Sequence, residues 1–335
     1  MLSFLKEKVR SSKKLAYLRE FALHPTYWGE YLRPATSQWA KNYYSFAKAI
    51  HFREYNNRKK LVSCLNDSYH YHIDPDKGFG QLDLSNDDVM RRCIERCNNI
   101  VKNVDFISMA ASAKKPFLLN VMINLFSEQN KSVLDLACDG NILGPVSRYI
   151  GALPLLYRAE IWYSPNEFFM DRRSQMYHLD KEDFRQMKCF IPLQEVTLEN
   201  GPLTVLPAKE SKKIYNKLLK EKKIGGTGPK ISDELIYSHS DIKSGFPLTG
   251  GAGNVLFADT CNCYHFGSRL SPKPRLLLMI HYASAFCIMV PTFFRKYRDN
   301  FGDENLSEFS DINYKIKHYV LGLQAKLRAG KDIVV

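Results

Sequence analysis

The spacing of apolar and polar positions changes near the middle of the chain. In the first half, apolar residues recur at helical intervals. Ser85-Asn86-Asp87-Asp88 has the composition of a capped helix start, with acidic residues in the first turn. A helix from there to about Asn103 would bury Val89, Cys93, Ile94, Cys97 and Ile100. Pro116 can open a second helix through Phe117, Leu118, Val121, Met122 and Leu125. Asn141 to Tyr149 predicts a short helix closed by Gly151. Beyond that glycine the texture becomes that of strands. Residues 155–163, 175–180, 187–196, 203–206, 254–259 and 275–283 predict short strands separated by Gly, Pro and Asn turns, with Asn200-Gly201-Pro202 the strongest turn. Short strands after a helical half predict an α+β chain: a sandwich or jelly roll flanked by an N-terminal helical region. The expected organisation is a basic N-terminal extension over residues 1–75, a main domain over 76–290 with a basic insertion at 208–230, and a helical tail over 291–335 packed on the domain.

Composition narrows the class. A chain of 335 residues can bury a sizeable core, and 45% hydrophobic with 25% charged residues is the make-up of a globular protein. The 19 Tyr and 20 Phe suit a β-rich interior. No apolar run reaches the length of a membrane span, so no transmembrane segment is expected; the longest, at 276–280, is strand-length. The net charge of +13 permits attraction to nucleic acid, anionic lipid or an acidic substrate, and is silent about fold. Leu2, Leu5 and Val9 share a helical face ringed by Lys6, Lys8, Arg10, Lys13 and Lys14. That is either an amphipathic helix for peripheral membrane contact or a solvated helix packed on the domain. Charges interrupt every candidate core of a secretory signal, while a transit peptide stays open.

The eight cysteines form no Cys-x-x-Cys pair, which predicts free thiols in a reducing, cytoplasmic setting. Cys93 and Cys97, one helical turn apart, read as buried helix positions, and Cys261 and Cys263 as structural. Lys212, Lys213, Lys217, Lys220, Lys222 and Lys223 precede Gly225-Gly226-Thr227-Gly228. This stretch reads as a lid, a basic docking surface or a solvated insertion.

The candidate chemistry centres on His178-Leu179-Asp180. In a strand, residues two apart share a face, so an imidazole and a carboxylate would stand side by side. These are two of the ligands of a 2-His-1-carboxylate triad, which leaves positions open on a non-haem Fe(II). A rival pair, His72 and Asp74, is followed by the turn sequence Pro75-Asp76-Lys77-Gly78 and reads as loop. An apolar strand leads to His265, which can complete the triad from a different strand. Arg275 then opens the next strand, where its guanidinium can clamp a carboxylate with two hydrogen bonds. His281 reads as a structural histidine and Asp259 as a turn cap. Separately, Val133-Leu134-Asp135-Leu136-Ala137-Cys138-Asp139-Gly140 resembles the first nucleotide-binding motif of S-adenosylmethionine methyltransferases. Ala137 and Asp139 stand where that loop needs glycine, and no alternating strands and helices follow.

His178-x-Asp180, His265 and Arg275 together resemble the phytanoyl-CoA dioxygenase-like (PhyH-like) family of Fe(II)/2-oxoglutarate-dependent oxygenases. Tyr149-Ile150-Gly151-Ala152-Leu153-Pro154 is similar to the family's segment before its first core strand. Asn200-Gly201-Pro202-Leu203-Thr204-Val205-Leu206-Pro207 is similar to its Asn-Gly-x-Leu turn and strand. The resemblance spans roughly residues 80–285 and implies a double-stranded β-helix (jelly roll) core behind the N-terminal helical region. It implies that His178, Asp180 and His265 bind iron and that Arg275 holds the distal carboxylate of 2-oxoglutarate. Phe190 and Lys188 would lie beside the co-substrate, with Gln175 and Ser268 as further polar contacts. Pro207-Ala208-Lys209-Glu210 departs from the family's Pro-Gly-Ser-His, so the local substrate loop differs. The implied activity consumes O2 and 2-oxoglutarate, releases succinate and CO2, and hydroxylates a C–H bond. The family's halogenating relatives lack the carboxylate ligand, so Asp180 favours hydroxylation. The expected substrate is small or carrier-tethered, with an anionic group matched to the basic insertion; nucleic acid is not expected. Two other readings stand beside this one: a non-catalytic jelly-roll module binding membrane or nucleic acid through its basic surface, and the methyltransferase.

Overall fold

The computed structural model describes residues 37–125, 127–167, 173–224, 230–269, 271–287 and 312–321. The amphipathic segment expected around Leu2, Leu5 and Val9, the Gly225–Gly228 run and most of the C-terminal tail lie outside them. The helices are α1 (Ser37–Ile50), α2 (Phe52–Val62), α3 (Asp88–Val101), α4 (Phe106–Ser112), α5 (Lys131–Ala137), α6 (Gly140–Ile150), α7 (Ala208–Lys220), α8 (Asp233–Ser238) and α9 (Ile312–Val320). The strands are β1 (Phe79–Asp83), β2 (Leu119–Met122), β3 (Leu155–Ser164), β4 (Gln186–Pro192), β5 (Leu203–Val205), β6 (Phe246–Leu248), β7 (Asn254–Ala258), β8 (His265–Phe266) and β9 (Arg275–Ala283). They form a large sheet in the order β1-β7-β4-β9-β3-β2 and a small one in the order β6-β5-β8, all pairs antiparallel. This is the expected α+β jelly roll, with helices on one side.

Strand periodicity explains how the large sheet serves two purposes. Successive side chains of a strand point to opposite faces. From β3, β4, β7 and β9, the residues Ile161, Cys189, Phe257 and Ile280 are fully buried on the outer face. There they pack with Met90 and Cys93 of α3, Val133 of α5 and Ile142 of α6 in the main core. Burying one such side chain stabilises by about 1.5–3 kcal/mol. On the inner face, Phe190, Leu256, Leu277 and Met279 meet Leu203, Val205 and Leu248 of the small sheet. The same inner face carries polar side chains. The register sets Arg158 opposite His281, Ser164 opposite Arg275, and Lys188 opposite His281.

The local signals for α3 and α6 act as read. Asp87 caps α3 by accepting from the N–H groups of Val89 and Met90. Gly151 ends α6 at φ 97, in the left-handed region that favours glycine. The buried face of α3 is Met90, Cys93 and Cys97, while Val89, Ile94 and Ile100 are only half-buried.

Several elements differ from the sequence reading. The helix expected from Pro116 is instead the edge strand β2. Its four residues pair with Glu160–Tyr163, so that the long neighbouring strand satisfies their backbone groups. β1 was not expected at all; its Gly80 lies against the Tyr71 ring, leaving no room for a side chain. Residues 175–180 form no continuous strand but end a short 3-10 turn and then make single bridges, Tyr177 to Ile231 and His178 to His265. The Val133–Gly140 stretch forms helix α5 and the start of α6, so the strand that a methyltransferase motif requires is missing and that reading fails.

His72 and Asp74 lie exposed in a loop. All eight cysteines are free. Among the described residues, no helix is long and apolar enough to cross a membrane.

Candidate metal centre

The segment carrying His178 and Asp180 is held on both sides by backbone hydrogen bonds. His178 and His265 exchange N–H and carbonyl at 3.1 Å in each direction. The Asp180 N–H donates to the Thr260 carbonyl at 2.8 Å, and Tyr177 pairs with Ile231 on the other side. Extended geometry then sorts neighbours to opposite faces. Tyr177 and Tyr264 enter a buried cluster with Leu206, Ile214, Leu218, Ile231 and Ile236. His178 and His265 point the other way, into the space between the sheets. Helix α7 supplies Ile214 and Leu218 to that cluster. The helical part of the basic insertion therefore supports the ligand segment from behind, and none of its residues lines the cavity.

One ligand atom each from His178, Asp180 and His265 lies within 4.8 Å of the others. His178 Nε2 is 3.9 Å from Asp180 Oδ1, and His265 Nε2 is 3.8 Å from Asp180 Oδ2. The tautomers follow from the other ring nitrogens. Nδ1 of His178 lies 2.9 Å from the Met176 carbonyl, and Nδ1 of His265 lies 3.0 Å from the Cys263 carbonyl. A carbonyl only accepts, so each Nδ1 carries the proton and each Nε2 presents a bare lone pair toward the carboxylate. Burial lowers the pKa of both imidazoles, that of His265 to about 3, despite the pull of Asp180. Both rings are thus neutral near neutral pH, and their contacts with Asp180 are not ion pairs. Two neutral imidazoles and a carboxylate converging without a proton between them form a donor set for a divalent ion.

Burial would raise the carboxyl pKa of Asp180, but the Lys188 ammonium holds it well below the usual range. Lys188 Nζ sits 2.5 Å from Asp180 Oδ2, and the pair is almost wholly out of solvent. Gln186 stands beside it, donating to Thr260 Oγ1 at 2.7 Å and joined to His281 Nε2 at 2.8 Å.

Arg275 lies across the cavity. Its Nη1 donates to the Gly201 carbonyl at 2.6 Å, and its Nη2 to the hydroxyls of Ser268 and Ser164 at 3.0 and 3.3 Å. Its Nε is buried with no partner. Among the described residues no carboxylate pairs with it, and burial alone brings its pKa down to about 10. A buried cation without an anion is costly unless something else satisfies it. Ser268 adopts φ 59, a left-handed conformation uncommon for a residue with a side chain. Its carbonyl is held by Gln175 Nε2 at 2.5 Å and its hydroxyl by Arg275.

A cavity of about 250 Å³ joins these parts. It is lined by His178, Asp180, His265, Lys188, Phe190, Ser268 and Arg275 among others. Of the eight site residues named from sequence, seven line it. Gln175 does not; it is fully buried behind the wall, where it fixes the Ser268 backbone. Lys188 is present, but its ammonium is engaged by Asp180. Sequence reading missed Arg158, Glu160 and Trp162 of β3, which also line the cavity. Glu160 is buried, accepts from Trp162 Nε1 at 2.8 Å and pairs with Arg158 Nη1 at 3.3 Å. The signal was available: charged residues two apart in an otherwise apolar strand mark a face turned to a polar space. Thr260 and Gln186 left no such trace.

No family model matches the chain. Over 135 residues it is 27% identical to the ectoine dioxygenases of Bordetella parapertussis and Bordetella bronchiseptica; the match covers 36% of this chain and 42% of each relative. The chain therefore matches less than half the length of these curated relatives. Among solved structures, EctD from S. alaskensis with 2-oxoglutarate and 5-hydroxyectoine superposes with a TM-score of 0.43 at 16% identity, covering 63% of this chain and 73% of that one. AviO1 from Streptomyces viridochromogenes superposes with a TM-score of 0.42 at 12% identity, covering 65% and 94% respectively. In its motifs and in these curated relatives, the chain is similar to the PhyH-like Fe(II)/2-oxoglutarate-dependent oxygenases.

Proposed function

We propose that this protein is an Fe(II)/2-oxoglutarate-dependent dioxygenase that hydroxylates a C–H bond of a small molecule. The observation that carries the reading is a complementarity of charge in one cavity. A His178–Asp180–His265 donor set, competent for a dication, faces a buried Arg275 that has no carboxylate partner among the described residues. A dicarboxylate spanning the two would chelate the metal at one end and satisfy the guanidinium, including its orphaned Nε, at the other. Fe(II) bound there would supply O2 activation coupled to the oxidative decarboxylation of 2-oxoglutarate, with succinate and CO2 as co-products.

The chain's own contribution is placement and exclusion. His178, Asp180 and His265 would hold the metal. Arg275, with Ser164 and Ser268 beside it, would fix the far end of the co-substrate. Phe190, Leu203 and Leu277 form the apolar wall between them and keep water out of that space. Lys115, at the approach to β2, offers a cationic contact to an anionic group on the substrate, free or carrier-linked; Arg158 on the same wall is already paired with Glu160.

The test is an anaerobic titration with Fe(II) and 2-oxoglutarate, watching for the weak visible charge-transfer band of the chelated co-substrate. The wild type is expected to show it and His178→Ala to lose it. A wild type without the band, or a His178→Ala variant that keeps it, overturns the reading.

A further inference from the structure

The triad by itself does not say how Asp180 binds a metal. Its carboxylate is set almost symmetrically, with Oδ1 3.9 Å from His178 Nε2 and Oδ2 3.8 Å from His265 Nε2. A carboxylate so placed can ligate through one oxygen or through both. The surroundings are not symmetric. Oδ2 receives Lys188 Nζ at 2.5 Å and has Gln186 Nε2 at 3.4 Å, whereas Oδ1 accepts no hydrogen bond among the described residues.

The two donors are themselves fixed. Gln186 is tied at both ends, to Thr260 Oγ1 and to His281 Nε2. Lys188 extends from β4 between its register partners Ala258 of β7 and His281 of β9, and its side chain is 5% exposed. Asp180 is the one carboxylate paired with Lys188 among the described residues.

We propose that Lys188 is a positioning residue for the metal centre: it occupies Asp180 Oδ2, so that the carboxylate ligates through Oδ1 alone and a further coordination position stays open for co-substrate and O2. This rests on the metal-centre reading above. The physical reason is that an oxygen already shared with a buried ammonium is a poor donor to a dication, because the two cations would face each other across one atom in a medium that screens them weakly. Ligation through both oxygens would fill a position that a chelating keto acid and O2 need. The ammonium also fixes the rotation of the carboxylate, which the two imidazoles alone do not. Lys188 thus acts on the reaction through Asp180 and is not assigned a contact with the co-substrate.

The experiment uses Co(II) as an air-stable probe of the metal-free full chain. X-ray absorption reads the coordination, and calorimetry reads 2-oxoglutarate affinity for the Co(II) protein. In Lys188→Met, the short metal-to-carboxyl-carbon distance of two-oxygen ligation is expected to appear, with 2-oxoglutarate binding weakened on the order of tenfold or more. Lys188→Arg, whose guanidinium still donates to Oδ2, is expected to restore wild-type coordination. The inference is overturned if Lys188→Met matches the wild type in both readouts. If circular dichroism shows that Lys188→Met does not fold, Lys188→Gln takes its place; its weaker neutral donor is expected to lower 2-oxoglutarate affinity several-fold, and unchanged affinity overturns the proposal. A wild type that takes up no Co(II), or whose uptake survives His178→Ala, removes the metal-centre reading and this inference together. Normal uptake with an unaltered Lys188→Met removes the Lys188 inference alone.

Discussion

Arg275 allows a test in which stability and binding move apart. Burial brings its pKa down to about 10, and a drop of that size weighs about 3 kcal/mol against the charged form in the fold. Its hydrogen bonds to Gly201, Ser164 and Ser268 offset this by about 1 kcal/mol each. Arg275→Met removes both contributions and keeps an unbranched side chain of similar length. The unfolding free energy of the metal-free protein is therefore expected to change by about 1 kcal/mol or less. Arg58 is the internal control. It is equally buried, but it pairs with Glu54 at 3.2 Å and donates to the carbonyls of Leu153 and Tyr319. Arg58→Met takes away the cation that pairs with Glu54 and the donor to the carbonyls of Leu153 and Tyr319, and is expected to cost about 3–5 kcal/mol. Urea denaturation of both variants measures the difference. Thermal melts with Fe(II) under argon then add the ligand. At a 2-oxoglutarate concentration of about 100 times Kd the wild type is expected to gain about 2.7 kcal/mol, and Arg275→Met to gain nothing. The argument fails if Arg275→Met is as damaging as Arg58→Met, or if it keeps the ligand-dependent stabilisation.

Other outcomes follow from the same geometry. Ile280→Ala, at a fully buried position of β9, is expected to cost about 2–5 kcal/mol in denaturant unfolding. Gly151→Ala has open space for the added methyl but keeps φ 97, so melting should report a loss of about 1–2 kcal/mol from backbone strain alone. Burial raises the Asp259 carboxyl to about 6, although Asn262 and Tyr149 hydrogen-bond to it. A carboxyl raised in the folded state favours folding while protonated, and that contribution is lost as pH climbs through about 6. Relative to wild type, Asp259→Asn should therefore be more stable at pH 8 than at pH 5 by about 1.4 kcal/mol; a pH-independent difference between the two proteins would refute it.

Much of the site could be read before the fold was seen, because its parts are spaced along strands. His178-x-Asp180, His265 and Arg275 each stand in or beside an apolar strand-like segment, and the structure brings all four to one cavity. The period-two rule also accounts for Phe190 and Lys188 sharing a face. The same rule, applied to Arg158, Glu160 and Trp162, would have found the polar wall of β3, where the apolar residues between them drew attention to the core instead. Gln175 shows the limit of the rule. It lies just upstream of the ligand segment, yet the backbone there is a 3-10 turn, and its side chain goes to Ser268.

What the sequence determined by itself was local: the cap at Asp87, the stop at Gly151, the strands β3 and β9, and the identity of the candidate ligand side chains. These depend on backbone preferences and on side-chain chemistry, which neighbours in sequence largely set. The tertiary structure decided everything that depends on a partner distant in the chain. It made residues 119–122 an edge strand, because β3 offers that segment hydrogen bonds it could not make alone. It turned the lysine-rich helix α7 into a support behind the ligands, through Ile214 and Leu218. It also gave Lys188 to Asp180 and left Arg275 without a carboxylate among the described residues. Neither fact is written in any stretch of sequence, since each is a statement about which charges share a buried space.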